Sequence, residues 1–302
     1  MNDALVSVII PAYGQCPHIQ KVVQAVLHQS IRPFEIVVVH SGSHDPSEKL
    51  TKLDKSVRVI HRDVRTFAGD ARNIGLKEVC SPWVAFIDSD VLPASDWLAS
   101  LLSGALNEEG RFVVGSVDYA TTGGYWGLCL WTIEFSGVHP YLPDGTTQGG
   151  ASANMLLPLD AVKNVGGFPE GFAASEDSYL TASLREYGLI NWFCADARVK
   201  HFNKKGMRHC LAHLLWLGHW SAICRREKPL RGALTVKIWP LAAGLWVAKL
   251  MLIYCRAWRW NKGDLFKLLT LGPGIVTGLL AWNLGFLSGL SAKRPIPSDV
   301  TS

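Results

Sequence analysis

Two pairs of carboxylates are the side chains of this sequence with the clearest capacity for chemistry. Asp88 and Asp90 follow the apolar run at residues 83–87, and Glu176 and Asp177 adjoin in a later polar stretch. Carboxylates two residues apart share a face of a strand or converge in a turn, so Asp88 and Asp90 could hold one hard cation. Mg²⁺ or Mn²⁺ held in this way can bind a diphosphate and offset the charge on a leaving group. A solvated turn explains the same two aspartates, since Asp and Ser are common turn residues.

The Glu176-Asp177 pair opens a predicted helix. Leu180 and Leu184 recur at helical spacing, and Gly188 is placed to end the helix. Acidic side chains at a helix N-terminus are stabilising by a few tenths to about 1 kcal/mol. This capping explanation is compatible with a chemical role for either carboxylate.

Strand and helix signals alternate through the first 110 residues. Apolar β-branched runs predict strands at VSVIIPAY, FEIVVVHSGS, SVRVIHRD and WVAFIDSD, and helical spacing predicts helices at IQKVVQAVLHQS and TFAGDARNIGLKEVC. This alternation predicts an α/β fold with a Rossmann-like, mostly parallel sheet and helices on both faces. The carboxylates after the fourth strand would then lie at the carboxyl edge of the sheet, where open α/β folds bind ligands.

Several other functional classes find no support in the sequence. No G-x-G-x-x-G follows the first predicted strand and no G-x-x-x-x-G-K-[ST] occurs, which argues against dinucleotide-dependent dehydrogenases and P-loop proteins. The seven cysteines are scattered without a C-x-x-C pair, a pattern typical of a reducing cytosol. The N-terminus lacks the basic and long apolar regions of a signal peptide, so the catalytic part is expected on the cytoplasmic side.

Charge divides the chain into two regions. Residues 1–199 carry 14 Lys and Arg against 22 Asp and Glu, whereas residues 200–302 carry 16 against 3, giving net charges of −8 and +13. The basic region is also apolar and rich in Trp. This combination favours a membrane partner and argues against nucleic acid.

Two apolar stretches, residues 238–254 and 268–290, are the candidates for contact with the bilayer. As a helix, the second would be roughly 35 Å long, enough to cross a hydrocarbon core of about 30 Å. The first is shorter and contains Pro240 and Lys249. Because the predicted loop between them is basic, two spans would conflict with the positive-inside tendency. The sequence therefore leaves open a two-span hairpin and a re-entrant or interfacial arrangement.

Six motifs, in order across residues 6–180, resemble those of the family 2 inverting glycosyltransferases, which have the nucleotide-diphospho-sugar transferase fold known as GT-A. The motifs are VSVIIPAYG, EIVVVHSGSHDPS, GDARNIGL, FIDSDVLP, GGASANMLLPLDAVKNVGGFPEGF and SEDSYL. The resemblance implies a GT-A catalytic domain over residues 1–205. A basic, Trp-rich helical region would follow over residues 206–302.

The same resemblance implies a site for a nucleotide-sugar donor. Pro11, Ala12 and Tyr13 would line the pocket for the nucleobase, and an aromatic ring can stack on a base. Arg72 would lie near the nucleotide or its diphosphate, since a guanidinium matches phosphate oxygens. Asp88 would face the ribose and the metal.

The metal and the nucleobase contacts follow from the resemblance as well. Asp90 would be the main ligand of Mg²⁺ or Mn²⁺, joined by Asp88, and His201 is a candidate third ligand. A lone histidine is also common as a structural or surface residue. His40 stands where the family usually has an aspartate that reads the base, which leaves the identity of the base open.

In the resembling family, a carboxylate of the Glu-Asp motif accepts the proton of the acceptor hydroxyl. The match implies that Asp177 is the general base and that Glu176 orients it or contacts the acceptor. An inverting transfer needs one such base opposite the leaving group and no covalent intermediate.

The sequence as a whole predicts a membrane-associated inverting glycosyltransferase whose acceptor is a lipid-linked or polyprenyl-linked glycan. Basic side chains after residue 203 could hold lipid headgroups or a lipid diphosphate, although a solvated face explains them equally well; they are Lys204, Lys205, Arg208, Arg225, Arg226 and Lys228. A nucleotidyltransferase is an alternative, but PAYGQCPH offers no basic phosphate-binding loop. A catalytically inactive membrane adaptor is a second alternative.

Overall fold

The computed structural model describes residues 6–121 and 123–293. Nine strands occur in this part of the chain: β1 Val6–Tyr13, β2 Glu35–Ser41, β3 Val57–Arg62, β4 Trp83–Ile87, β5 Val91–Pro93, β6 Arg111–Tyr119, β7 Gly145–Thr146, β8 Asn154–Pro158 and β9 Ile190–His201. The helices there are α1 Ile19–Leu27, α2 Ser47–Thr51, α3 Ala68–Glu78, α4 Trp97–Leu106, α5 Gly124–Phe135, α6 Leu159–Asn164, α7 Glu176–Glu186, α8 Met207–Glu227, α9 Trp239–Ala243, α10 Leu245–Trp260 and α11 Leu265–Gly289.

One sheet forms the centre of the chain before α8. Its strand order is β3-β2-β1-β4-β8-β6-β9-β5, and β7 pairs with β9 outside this path. Strands β3, β2, β1 and β4 are parallel, as are β6 and β9, whereas β8 runs antiparallel to β4 and β6. The predicted α/β fold is confirmed. In the sheet, β8 lies between the four parallel N-terminal strands and the remaining strands.

The apolar sequence of β1 reflects burial on both faces of the sheet. Seven consecutive residues, from Val6 to Ala12, are buried although neighbours along a strand point to opposite faces. Such double burial is typical of parallel strands covered by helices. Helix α3 lies so close to this strand that a Cβ atom on Gly75 would meet Ile9 at 2.7 Å. This packing fixes the position of Arg72, which α3 carries.

The C-terminal helices pack against one another through glycines. A Cβ atom on Gly285 of α11 would lie 1.8 Å from the carbonyl oxygen of Leu215 in α8, and one on Gly218 would lie 1.8 Å from that of Trp282. The two backbones therefore touch where these helices cross. Helix α11 also contacts α5. There the Tyr125 hydroxyl accepts a hydrogen bond from the Gly274 backbone N–H.

The two predicted apolar stretches differ in the structure. Residues 238–254 do not form one helix, because α9 ends before Gly244 and α10 begins at the next residue. Pro240 lies in the first turn of α9, where its missing N–H costs little. The predicted loop between the stretches is partly helical, since α10 continues to Trp260. In the described part of the chain, one helix, Lys262–Gly289, is long and apolar enough to cross a membrane.

Candidate functional site

A cleft of about 1410 Å³ opens beyond the carboxyl end of β4, between the sheet and the C-terminal helices. Its walls contain six of the residues predicted for the site: Arg72, Asp88, Asp90, Glu176, Asp177 and His201. The two carboxylate pairs, nearly ninety residues apart in sequence, thus meet in one cavity. The other predicted residues, Pro11, Ala12, Tyr13 and His40, are not among its lining residues.

Arg72 links the two carboxylate pairs. Its Nη2 donates to Asp88 Oδ1 at 2.5 Å and its Nη1 donates to Glu176 Oε1 at 2.8 Å. The Arg72 side chain is 1% exposed, and its guanidinium lies 5.3 Å from the centre of the Phe168 ring. Both ends of the guanidinium fork are therefore occupied by protein carboxylates. Nothing in the sequence signalled this contact, which depends on bringing α3, β4 and α7 together.

Asp177 is the carboxylate of the second pair that Arg72 does not bind. Glu176 is buried and tied to Arg72, whereas Asp177 is partly exposed and its Oδ1 accepts from the Ser178 N–H at 2.6 Å. Burial, and secondly the charge of Glu176, raises the pKa of Asp177 to about 7. Ser175, just before the pair, has φ +61°, the one positive φ of a non-glycine residue in the described chain. Strained backbone of this kind concentrates at functional sites.

Strand pairing brings Asp90 and His201 together. Val91 of β5 pairs with His201 of β9, and the Phe202 N–H donates to the Asp90 carbonyl oxygen at 2.9 Å. The two side chains face each other with 3.9 Å between His201 Nε2 and Asp90 Oδ1. This gap exceeds a hydrogen bond and is close to twice a metal–ligand distance of about 2.0–2.2 Å. The buried His201 Nδ1 has no hydrogen-bond partner among the described residues.

The donor atoms around Asp90 suit a divalent cation that takes its remaining ligands from a substrate. Residues 6–121 and 123–293 contain no group of three His, Cys, Asp or Glu side chains gathered tightly enough to hold a metal ion by themselves. Asp88, the ligand predicted beside Asp90, has one oxygen engaged by Arg72. Mg²⁺ commonly binds through one or two carboxylates and completes its coordination with substrate phosphates and water. Asp90 supplies the carboxylate of that pattern, and His201 adds a nitrogen donor 3.9 Å from it.

The predicted nucleobase residues divide into exposed and buried ones. Tyr13 is 53% exposed, and the Arg65 guanidinium lies 4.9 Å from the centre of its ring. Pro11 and Ala12 are buried within β1. Of the three residues predicted to line the base pocket, Tyr13 is therefore the one with an exposed ring, and Arg65 is a neighbour that sequence spacing did not reveal.

His40 has a different position from the one its alignment with a base-reading aspartate implied. Its side chain is 1% exposed and thus offers almost no surface to a nucleotide. The ring Nε2 lies 2.8 Å from the Gly14 carbonyl oxygen, which can only accept, so this nitrogen carries the proton. His40 Nδ1 lies 3.1 Å from His61 Nδ1. His40 therefore stabilises the loop after Tyr13 through its hydrogen bond to the Gly14 carbonyl oxygen.

Comparison with known proteins agrees with this architecture. Residues 7–137 match the family described as Glycosyl transferase family 2. An uncharacterized glycosyltransferase of Rickettsia felis is 34% identical over 122 residues, covering 39% of this chain and 20% of the relative. The pre-mycofactocin glycosyltransferase of Mycobacterium tuberculosis is 27% identical over 229 residues, covering 72% of this chain and 47% of the relative. The chain thus spans less than half the length of either relative.

A solved structure extends the similarity to nearly the whole fold. The mannosyltransferase PcManGT from Pyrobaculum calidifontis, in complex with GDP-Man and Mn²⁺, is 18% identical and superimposes with a TM-score of 0.60. The match covers 93% of this chain and 86% of that protein, so it includes the C-terminal helices. At this level of identity the likeness concerns the fold.

Proposed function

The chain carries a family 2 glycosyltransferase domain, and on this basis we propose that it transfers a sugar, with inversion, from a nucleotide-sugar donor to a lipid-linked glycan at a membrane. The observation that carries the proposal is the convergence of the two carboxylate pairs in one cleft, joined by Arg72. An inactive adaptor would have no need for a buried ion network linking these carboxylates. A fold alone does not imply a function, so the proposal rests on this site.

In the proposed reaction, Asp177 accepts the proton of the acceptor hydroxyl. A carboxylate whose pKa lies near the working pH is well matched to this task. Arg72 holds Glu176, and Glu176 in turn places a negative charge beside Asp177 that favours its taking up a proton. A divalent cation at Asp90 and His201 would hold the donor diphosphate and offset the charge that develops on the leaving group.

The first test is binding of the donor. Titration calorimetry with UDP-, GDP- and TDP-sugars should find one nucleotide class that binds in the presence of Mn²⁺. Asp90→Asn should weaken this binding at least tenfold, because a carboxylate ligand worth more than about 1.4 kcal/mol is lost. Asp96→Asn, on an exposed aspartate outside the cleft, serves as the control. Failure of the wild type to bind any nucleotide would favour the adaptor alternative.

The pH dependence of the reaction should report the ionisation of Asp177. Because the base must be ionised to accept a proton, kcat/KM should rise with pH and level off above about 7, the pKa to which burial raises this carboxyl. Rates measured from pH 5 to 8.5 at constant ionic strength would show the step. A profile that is already flat from pH 5 upward would contradict the assignment of Asp177 as the base.

Contact with the membrane is proposed for the surface formed by helices α9 to α11. Large apolar side chains are exposed there, among them Trp239, Met251, Trp258, Phe266 and Leu269. These helices lie within residues 200–302, which carry the net charge of +13 and thus match an anionic bilayer. The catalytic cleft would face the cytoplasm.

Vesicle binding tests this surface. Replacing Trp239 and Trp258 together by Ala should reduce partitioning onto phosphatidylglycerol vesicles at least fivefold, since interfacial Trp anchors are lost. Phe34→Ala removes an exposed aromatic side chain of the catalytic part and should change nothing. Equal partitioning of wild type and double variant in flotation assays would refute this surface as the membrane contact.

A further inference from the structure

The cleft has a second charged region, opposite in sign to the carboxylates. The carboxylates that line it are all contributed by residues before 200: Asp88, Asp90, Glu134, Glu176 and Asp177. The C-terminal region contributes five basic side chains to the lining, and we call four of them the basic wall: Arg225, Arg231, Lys249 and Arg256. The fifth, Lys204, lies 2.7 Å from His213 Nδ1 and is not counted in the wall. The cleft is thus acidic at the edge of the sheet and basic along helices α8 and α10.

The cations of the basic wall have no carboxylate partner in the part of the chain that the structure describes. Across residues 6–121 and 123–293, no carboxylate lies within ion-pair distance of any of the four. Arg225 donates to the backbone carbonyl oxygens of Ser221 and Arg231, and Arg256 donates to Ser136 Oγ, all of which are neutral acceptors. Arg225 and Arg256 are thereby held in position without a carboxylate partner among the described residues.

Lys249 is the most constrained member. Its Nζ lies 3.8 Å from the centre of the Trp282 ring, inside the cleft. Burial, and secondly the charge of Arg225, lowers the pKa of Lys249 to about 7. Glu134 acts in the opposite direction, but this carboxylate is already bound to His213 at 2.8 Å. A half-buried ammonium beside other cations is costly unless an anion accompanies it.

The C-terminal region also contributes apolar side chains to the lining of the cleft. They include Leu214, Leu217, Leu230 and Trp282. A ligand that satisfies this part of the cavity therefore combines an anionic group with an apolar one. Under the proposed function the donor diphosphate would bind at Asp90 and His201, which leaves the basic wall for the second substrate.

We propose that the basic wall binds the phosphate or diphosphate group of an acceptor that also carries an apolar chain. This inference rests on the proposed glycosyl transfer and names the part of the acceptor that the cleft recognises. It also revises the basic residues expected from the sequence. Of those six, only Lys204 and Arg225 line the cleft, whereas Arg231, Lys249 and Arg256 were not among them.

The test uses the full chain with inorganic pyrophosphate and with farnesyl diphosphate as probes. Titrations are run in EDTA, so that no metal bridges the probe to Asp90. Lys249→Met should raise the Kd of both probes at least tenfold. The matched control is Lys262→Met, which removes another lysine lying over a tryptophan ring, that of Trp258, outside the cleft. This control should leave both affinities within twofold of wild type.

The two probes separate a lipid headgroup from free phosphate. Tighter binding of farnesyl diphosphate than of pyrophosphate is expected, because the apolar lining adds to the affinity; equal affinities would overturn the apolar half of the proposal. Unchanged probe binding in Lys249→Met would overturn the basic wall itself. Thermal unfolding checks that the variant folds, and removal of an uncompensated ammonium should not lower its midpoint.

Donor binding with Mn²⁺ is measured on the same samples. It should be equal in wild type and Lys249→Met; a tenfold loss in the variant would assign the basic wall to the donor and overturn the acceptor role. Absence of donor binding in the wild type would overturn the proposed function. Normal donor binding without Lys249-dependent probe binding would overturn only the present inference.

Discussion

Asp177→Asn should lower kcat by about 10²–10⁴-fold, the range typical of losing a general base, while donor affinity stays within twofold of wild type. The amide keeps the size of the side chain and can still accept the Ser178 N–H through its oxygen. It cannot accept a proton from the acceptor hydroxyl. The measurement is steady-state transfer together with donor titration, so that binding and chemistry are separated.

The matched control is Asp160→Asn. Asp160 also lies in the first turn of a helix, α6, but it is exposed and outside the cleft. If helix capping were the whole role of Asp177, the two variants would behave alike. A loss below tenfold in Asp177→Asn, with folding intact, would remove Asp177 from the chemistry.

The pH dependence of folding stability should also reflect the ionisation of Asp177. The pKa of Asp177 in the folded chain, about 7, lies above its ordinary value of 3.8, so the folded state binds the extra proton between these pH values. The contribution of this group is fully favourable below about pH 4 and is lost as pH rises through about 7. In Asp177→Asn this part of the pH dependence of thermal unfolding should disappear, which verifies the pKa without an activity assay.

Much of the site was predictable because strand ends and helix starts have fixed geometry. Asp88 and Asp90 follow a buried strand, and Glu176 and Asp177 open a helix, so sequence placed both pairs at the correct ends of their elements. His201 was expected near the metal, and the pairing of β5 with β9 does put it 3.9 Å from Asp90. Its role as a ligand stays a prediction.

What sequence did not reveal depends on contacts between distant elements. The placement of Arg72 between Asp88 and Glu176 requires α3 and α7 to meet over β4, and no local pattern encodes that meeting. His40 matched a position known for reading bases, yet its burial and its bond to Gly14 give it a supporting place. The same limit applies to Lys249, because the residues that surround it belong to three distant helices, α5, α8 and α11.

Arg72→Met should reduce the free energy of unfolding by about 3–5 kcal/mol, because it leaves Glu176 and Asp88 without their counter-charge in a buried setting. Urea denaturation of the full chain measures the change. Arg58→Met is the control: Arg58 also joins a carboxylate, Glu35, but its side chain is 46% exposed. Because one side of this pair is half-exposed while the Arg72 side chain is 1% exposed, the control should lose clearly less stability than Arg72→Met.

A double variant distinguishes lost charge compensation from lost packing. Adding Glu176→Gln to Arg72→Met removes one of the stranded charges and should restore at least 1 kcal/mol, whereas a packing defect would be made no better. Removing Arg72 should also push the pKa of Asp177 upward, since the guanidinium normally lowers it, so the rise in kcat/KM would move to higher pH. Equal stability losses in Arg72→Met and Arg58→Met, with an unmoved pH profile, would show that the ion network neither holds the cleft together nor tunes its base.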